Sequence, residues 1–181
     1  HRDLIVDNGK SAMLVADGEG RNSIWLSDQG LQVMACDISP VAIEKARKLS
    51  GSRKGGPEFV CTDMLAADFP KLYSQKNFDW VIGIFIQFTN SEERICQFNL
   101  MKNLTCPGGR ILLQGYTPKQ LEFKTGGPAN IENLYTREIL EAAFCDWEIE
   151  ELVEYEQEIS EGIGHHGQSA LVGMIARKPK N

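Results

Sequence analysis

The sequence predicts an α/β fold in which a mostly parallel sheet is covered by helices on both faces. Three observations carry that prediction. Strand-like and helix-like patterns alternate along most of the chain, as strand–helix–strand units require. A short apolar run, Ala12 to Ala16, leads into Asp17-Gly18-Glu19-Gly20 and then into a helical pattern. Two long strand patterns joined by a glycine-containing turn come last, which suits an antiparallel final strand.

The elements follow in order. After the first strand, Ile24, Trp25 and Leu26 fall in a short helix closed by Gly30. Leu31 to Cys36 is the second strand, ending at Asp37. Ser39 reads as an N-cap with Pro40 at the first helical position, opening a helix to about Leu49. Gly51 to Pro57 is a polar loop, Glu58 to Cys61 strand three and Phe78 to Phe85 strand four. Ser91 is expected to cap a helix carrying Ile95, Phe98, Leu100 and Leu104. Pro107-Gly108-Gly109 turns into strand five, Arg110 to Gln114, and Thr136 caps a short helix with Ile139, Leu140 and Phe144 on one face. The final pair runs from Trp147 to Ile159 and from Ser169 to Arg177, joined by Glu161-Gly162-Ile163-Gly164-His165-His166-Gly167. Six glutamates on the first of the pair, Glu148 to Glu158, read as the solvated face of an edge strand.

Bulk properties bound the possibilities. At 181 residues and 42% hydrophobic content the chain forms one domain with a real core. A net charge of −6 argues against nucleic-acid binding, which needs a basic face. No apolar run is long enough to span a bilayer. Cys36, Cys61, Cys96, Cys106 and Cys145 form no CxxC pair and are expected to be buried free thiols, as suits a reducing cytoplasm.

The loop after strand one opens a helix, where glycines let the backbone approach a ligand and helix-start N–H groups point toward it. A tight strand-to-helix turn would explain Gly18 and Gly20 equally well. The spacing of further residues at carboxyl ends of strands, where open α/β sheets bind ligands, favours the ligand. Asp37 ends strand two and can accept from both hydroxyls of a ribose. Asp63 follows strand three and can accept from an adenine amino group, with Met64 against the ring. Ile84 and Phe85 end strand four and are candidates for the other face of the base. Ala16, Asp17, Asn22 and Ile38 complete the expected cofactor-binding set. A nicotinamide dehydrogenase wants Gly or Ala three residues after the second glycine, and here that residue is Ser23.

Asp37-Ile38-Ser39-Pro40, Cys106-Pro107-Gly108-Gly109 and the paired final strands together resemble class I S-adenosylmethionine-dependent methyltransferases over nearly the whole chain. Gly20-Arg21-Asn22-Ser23, Tyr116 to Leu121, Thr125 to Pro128 and Ala176 to Pro179 resemble the tellurite-resistance (TehB-type) branch and its bacterial relatives. The resemblance implies a Rossmann-like sheet of seven strands, mostly parallel with an antiparallel last strand, and S-adenosylmethionine as cofactor. It also implies a small-molecule acceptor that is itself a thiol, selenium or tellurium nucleophile. An oxygen or nitrogen acceptor, or a catalytically silent cofactor-binding domain, are the competing readings. The family loop commonly reads acid-x-Gly-x-Gly-x-Gly, and here Leu14 stands at the acid and Ala16 at the first glycine. Relatives usually carry an N-terminal helical segment over the pocket, whereas here strand one is expected to start at Ala12.

Methyl transfer from a sulfonium is an in-line displacement, so the protein chiefly aligns the two reactants. An anionic acceptor asks for donors or cations opposite the methyl group. Gln87, Gln114, Tyr116, Arg137, His165 and His166 are the candidates, with His165, His166 and Arg137 the expected catalytic residues. The expected protein is a cytoplasmic monomer or homodimer acting on a small molecule, without nucleic-acid or membrane partners and without a metal.

Overall fold

The computed structural model describes residues 2–52, 54–69, 77–160 and 166–180. Its strands are β1 (Ser11–Val15), β2 (Gln32–Asp37), β3 (Glu58–Cys61), β4 (Phe78–Ile84), β5 (Thr105–Tyr116), β6 (Glu148–Ser160) and β7 (His166–Arg177). Its helices are α1 (Arg2–Asp7), α2 (Arg21–Asp28), α3 (Pro40–Ser50), α4 (Ser91–Leu104), α5 (Gln120–Phe123) and α6 (Arg137–Ala143), with a 3₁₀ turn at Ile131–Asn133. The strands form one seven-stranded sheet in the order β3-β2-β1-β4-β5-β7-β6. Neighbours from β3 to β5 pair in parallel, and β7 pairs antiparallel with both β5 and β6.

Period-two alternation divides the core between the two faces of the sheet. Ala12 and Leu14 of β1, Val33 and Ala35 of β2, and Trp80 and Ile82 of β4 pack with Ile5, Ile24, Leu26 and Ile43 from α1, α2 and α3. Met13 and Val15, Met34 and Cys36, and Val81 pack on the other face with Phe98, Met101 and Leu104 of α4, Leu140 of α6, and Phe144 just after it. Both faces are thus closed, which is why β1, β2 and β4 read as near-continuous apolar runs.

Three expectations shift. Asn90, not Ser91, caps α4: its side chain accepts from the N–H groups of Glu92 and Glu93, and Glu93 reaches back to the Asn90 N–H. Strand five begins earlier, because Cys106 to Gly109 run within β5 as an irregularity, with Phe78 opposite Thr105 and Trp80 opposite Arg110. The five cysteines are free, yet Cys61, Cys96 and Cys145 are exposed and only Cys36 is fully buried. Cys61 ends β3 at the sheet's edge, Cys96 lies on the outer side of α4, and Cys145 lies in the turn before β6. Helix α1 had no counterpart in the sequence reading; Leu4, Ile5 and Val6 pin it to the core. Among the described residues no helix is long and apolar enough to cross a membrane.

Candidate functional site

The loop from β1 to α2 alternates left-handed residues: Ala16 at φ 51°, Gly18 at 62° and Gly20 at 81°. Two of these positions are solved by glycine; Ala16 adopts the conformation at a cost of roughly 1–2 kcal/mol. The loop is tied to the end of β2 by Asp37. One Asp37 carboxylate oxygen accepts from the Gly18 N–H at 2.9 Å and the other from the Ser39 N–H at 2.8 Å. The Asp37 carbonyl accepts from Thr62 N–H at 3.0 Å, which brings the β3 end to the same point. A single acidic residue therefore registers three strand ends while keeping lone pairs for a ligand.

Two cavities open on either side of this loop. The smaller, about 410 Å³, is lined by Ala16, Asp37, Ile38, Asp63, Met64 and Phe85 together with Cys36, Thr62, Leu65, Phe88, Thr89 and Glu93. It offers carboxylates at Asp37 and Asp63 between apolar walls, the chemistry for a planar base joined to a diol. Asp63 is held by accepting from Leu65 N–H at 2.9 Å, and the Met64 sulfur receives the Gln97 amide at 3.8 Å. Burial pushes the Cys36 thiol up to about 12, so it lines the cleft as an inert group.

The larger cavity, about 660 Å³, lies along α2 and β4–β5 and is lined by Asp17, Gly18, Asn22, Trp25, Ile84 and Gln114, with Ile5, Glu19, Arg21, Leu26, Ile82 and Leu112. A Cβ on Gly18 would meet nothing within 4 Å, so the glycine leaves open room beside the loop. Asp17 is the unusual group here. Its Oδ2 is buried without a hydrogen-bond partner. Burial pushes its carboxyl up to about 7, against the hydrogen bonds of Ser23 and with help from the Asp37 charge.

Most of the cofactor-binding residues expected from sequence are brought together here, with two relocated. Ile84 faces the larger cavity, because β4 alternation sends Phe85, at φ 56°, to the nucleoside-sized cleft instead. Gly20 lines neither cavity: a Cβ there would lie 2.8 Å from Ala46 Cβ and 2.9 Å from the Phe59 ring, so this glycine serves helix packing.

The acceptor-side expectations fare differently. Arg137 lines neither cavity; its guanidinium donates to the Leu152 carbonyl at 2.8 Å and pairs with Glu141 at 3.4 Å, so it fastens α6 to β6. Gln87 is buried, with its amide NH₂ donating to the Tyr116 and Asn133 carbonyls and its oxygen accepting from Tyr116 N–H at 2.6 Å. Tyr116 is itself buried, stacked on Phe85 with ring centroids 4.7 Å apart. Among the described residues of this group, only Gln114 faces a cavity. His165 lies outside the described residues, and His166 is described only by its backbone, which opens β7 opposite Ser160. Phe88, Thr89 and Glu93 were not among the residues expected from sequence; the signal was a second aromatic, Phe88, in the short stretch between β4 and the Asn90 cap.

With this geometry in view, comparison with known proteins places the chain. Residues 13–109 match the family described as the methyltransferase domain, and the chain belongs to it. Comparison with curated protein sequences gives no significant match. Among solved structures it is similar to TehB from Haemophilus influenzae, with a TM-score of 0.72 at 22% identity over 93% of this chain. The chain spans only 57% of the length of that protein. It is likewise similar to the N-methyltransferase NodS from Bradyrhizobium japonicum, at a TM-score of 0.74 and 13% identity over 98% of this chain and 91% of that one. A third likeness is to the magnesium protoporphyrin IX methyltransferase of Synechocystis with bound SAH, at 0.72 and 16% identity over 98% and 81% of the two chains. At these identities the likeness is one of fold, a Rossmann-like methyltransferase fold shared with proteins described as SAM-dependent methyltransferases.

Proposed function

We propose that this chain binds S-adenosylmethionine across the β1–α2 loop and methylates a small molecule bearing a soft sulfur, selenium or tellurium nucleophile. The observation that carries the cofactor assignment is Asp37, whose carboxylate organises the Gly18 loop and still has acceptor capacity toward the cleft. In this reading Asp37 accepts from the ribose hydroxyls and Asp63 from the exocyclic amine of the base. Ile38, Met64 and Phe85 form the apolar walls beside the ring, and Gly18 leaves room for the backbone to approach the ligand. The cofactor, when bound, supplies a methyl group already activated on sulfonium sulfur. The chain's part is to orient the two reactants and exclude water.

The acceptor class is supported by the TehB-type motifs at Gly20–Ser23, Tyr116–Leu121 and Thr125–Pro128, and by the fold shared with TehB. Chemistry agrees: such nucleophiles need little general-base help near neutral pH, and the Gln87 amide cannot act as a base and is already committed to backbone.

Titration calorimetry with S-adenosylhomocysteine tests the site. Asp37→Ala removes one or two charge-assisted hydrogen bonds, each about 1.5–3 kcal/mol, and also frees the Gly18 loop, so affinity should fall at least tenfold. Equal affinity in parent and variant overturns the assignment. Transfer of labelled methyl to thiols and selenite, measured against oxygen and nitrogen acceptors, tests the substrate class.

A further inference from the structure

The walls of the larger cavity bear on the acceptor, and this inference rests on the acceptor class proposed above. We propose that the cavity selects a thiol on an apolar, uncharged carbon skeleton over an oxyanion. In this arrangement the Gln114 amide holds the acceptor sulfur, and Trp25, Ile82, Ile84 and Leu112 hold the skeleton.

Strand register sets the polar group beside the apolar wall. Ile82 and Ile84 of β4 alternate onto one face, Leu112 and Gln114 of β5 onto the same face. Parallel pairing puts Ile82 beside Leu112 and Ile84 beside Gln114. Gln114 thus stands near the carboxyl end of β5, on the edge of the sheet where open α/β folds take their ligands. Its backbone carbonyl accepts from Phe85 N–H at 2.8 Å, but among the described residues its side-chain amide has no partner. Gln87 is the contrast, with its amide spent on the backbone of Tyr116 and Asn133. Across the β5–β7 ladder Gln114 faces Gly173, which brings no side chain to compete for the amide. An amide NH₂ can donate to sulfur without adding a charge to the wall.

The rest of the wall sets the acceptor's character. Ile5, Leu26, Ile82 and Leu112 are buried and Trp25 and Ile84 half-buried, so an apolar face runs from α1 across α2 and β4 to β5. The charged groups gather on the loop side and leave no surplus cation. Arg21, the one basic residue among the described residues lining the cavity, lies 3.7 Å from Glu19, and Asp17 adds a second acid. Selenite or tellurite would set several lone pairs against hydrocarbon, with one amide to replace their water. Such an ion, the size of a few waters at roughly 30 Å³ each, would also fill little of a cavity of about 660 Å³. An alkyl or aryl thiol meets both conditions, because its skeleton covers the apolar face and only its sulfur asks for a donor. In the transfer the thiol first loses its proton to water and its sulfur pair forms the bond to the methyl carbon. The pair of the broken bond leaves on the former sulfonium sulfur, now a neutral thioether.

Benzenethiol and 4-mercaptobenzoate, one ring without and with a carboxylate, test the choice. In calorimetry on parent protein saturated with S-adenosylhomocysteine, benzenethiol should bind at least about tenfold more tightly. Labelled-methyl transfer should favour it over 4-mercaptobenzoate and over selenite by about tenfold or more in kcat/KM. These comparisons need no variant to fold. Trp25→Ala should weaken benzenethiol about tenfold and leave S-adenosylhomocysteine affinity within about threefold, which also reports an intact cofactor site. Gln114→Leu keeps the bulk and removes the donor. Binding of methyl phenyl sulfide, the uncharged product, should stay within about threefold while kcat for benzenethiol falls about tenfold or more; a merely structural Gln114 would lower both together. Equal or better use of 4-mercaptobenzoate or selenite overturns the proposal, as does parental behaviour in either variant. Methyl transfer to oxygen or nitrogen acceptors alone sinks the broader acceptor class and this proposal with it, and a parent that does not bind S-adenosylhomocysteine sinks the cofactor reading beneath both.

Discussion

A carboxyl group buried at Asp17 exacts a stability cost from the ligand-free protein that depends on pH in a fixed direction. Its folded value, about 7, stands above the ordinary 3.8. Below about pH 4 both folded and unfolded chains hold the proton, and the group costs nothing. As pH rises toward 7 the unfolded chain ionises first, so stability falls across that window and levels off above it. Asp17→Asn removes the titrating group. Chemical denaturation should find the variant more stable than the parent at pH 8, by on the order of 2–4 kcal/mol, and nearly equal to it at pH 4. A constant difference across that range would mean that Asp17 is not buried as a carboxyl group. Residues of this kind divide sharply in how legible they are. Asp37, Asp63 and Met64 could be read because their position at strand ends fixes their direction. Asp17 was legible as a loop acid but not as a buried one, since the β4 residues beside it, Ile82 and Ile84, are distant in sequence. Arg137 misled for the complementary reason: a lone arginine near the start of α6 looks available until the Leu152 carbonyl of β6 is seen to hold it.

The β1–α2 connection shows how one element divides its labour between fold and ligand. Gly18 and Gly20 share positive φ, yet their surroundings are opposite. At Gly18 a methyl would point into open space, so Gly18→Ala carries little more than the left-handed cost, roughly 1–2 kcal/mol. At Gly20 the same methyl adds contacts under 3.0 Å to Ala46 and Phe59, where α3 and β3 meet the loop, and the total should reach about 2–5 kcal/mol. Thermal melts should therefore separate the two variants clearly, with S-adenosylhomocysteine binding lost at Gly18→Ala before stability is. Similar melting temperatures would refute the division. At this scale the sequence spoke well wherever an element carries its own punctuation: Ser39-Pro40 at α3 and Thr136 at α6 cap as expected. It spoke poorly for α1, a six-residue helix too short to stand alone and held by Leu4, Ile5 and Val6 against the core.

Strand order is the level least accessible from the chain. Alternating strands and helices announce a parallel sheet, but only long-range pairing tells that β7 lies inside and β6 outside. The β6 glutamates were the available hint, and Glu148, Glu154, Glu156 and Glu158 are indeed exposed along the sheet's edge, where charge discourages pairing with another chain. Removing everything after Ser160 should thus do more than shorten the protein. It takes β7 from between β5 and β6, leaving Ile111 and Leu113 without the cover of Val172, Met174 and Ala176. Such a fragment should be insoluble or lack a cooperative thermal transition; a soluble, cooperatively melting fragment would contradict this account.

The same insertion has a meaning in time. A ribosome delivers β6 before β7, so the nascent sheet waits with β5 as an open rim while its outermost strand is already made and has nothing to join. The two last strands can zip into a hairpin as soon as Arg177 emerges, because their contacts are local in sequence. Docking that hairpin onto β5 then completes the sheet, and until it happens the chain presents an unfinished edge to every chaperone and every neighbour it meets.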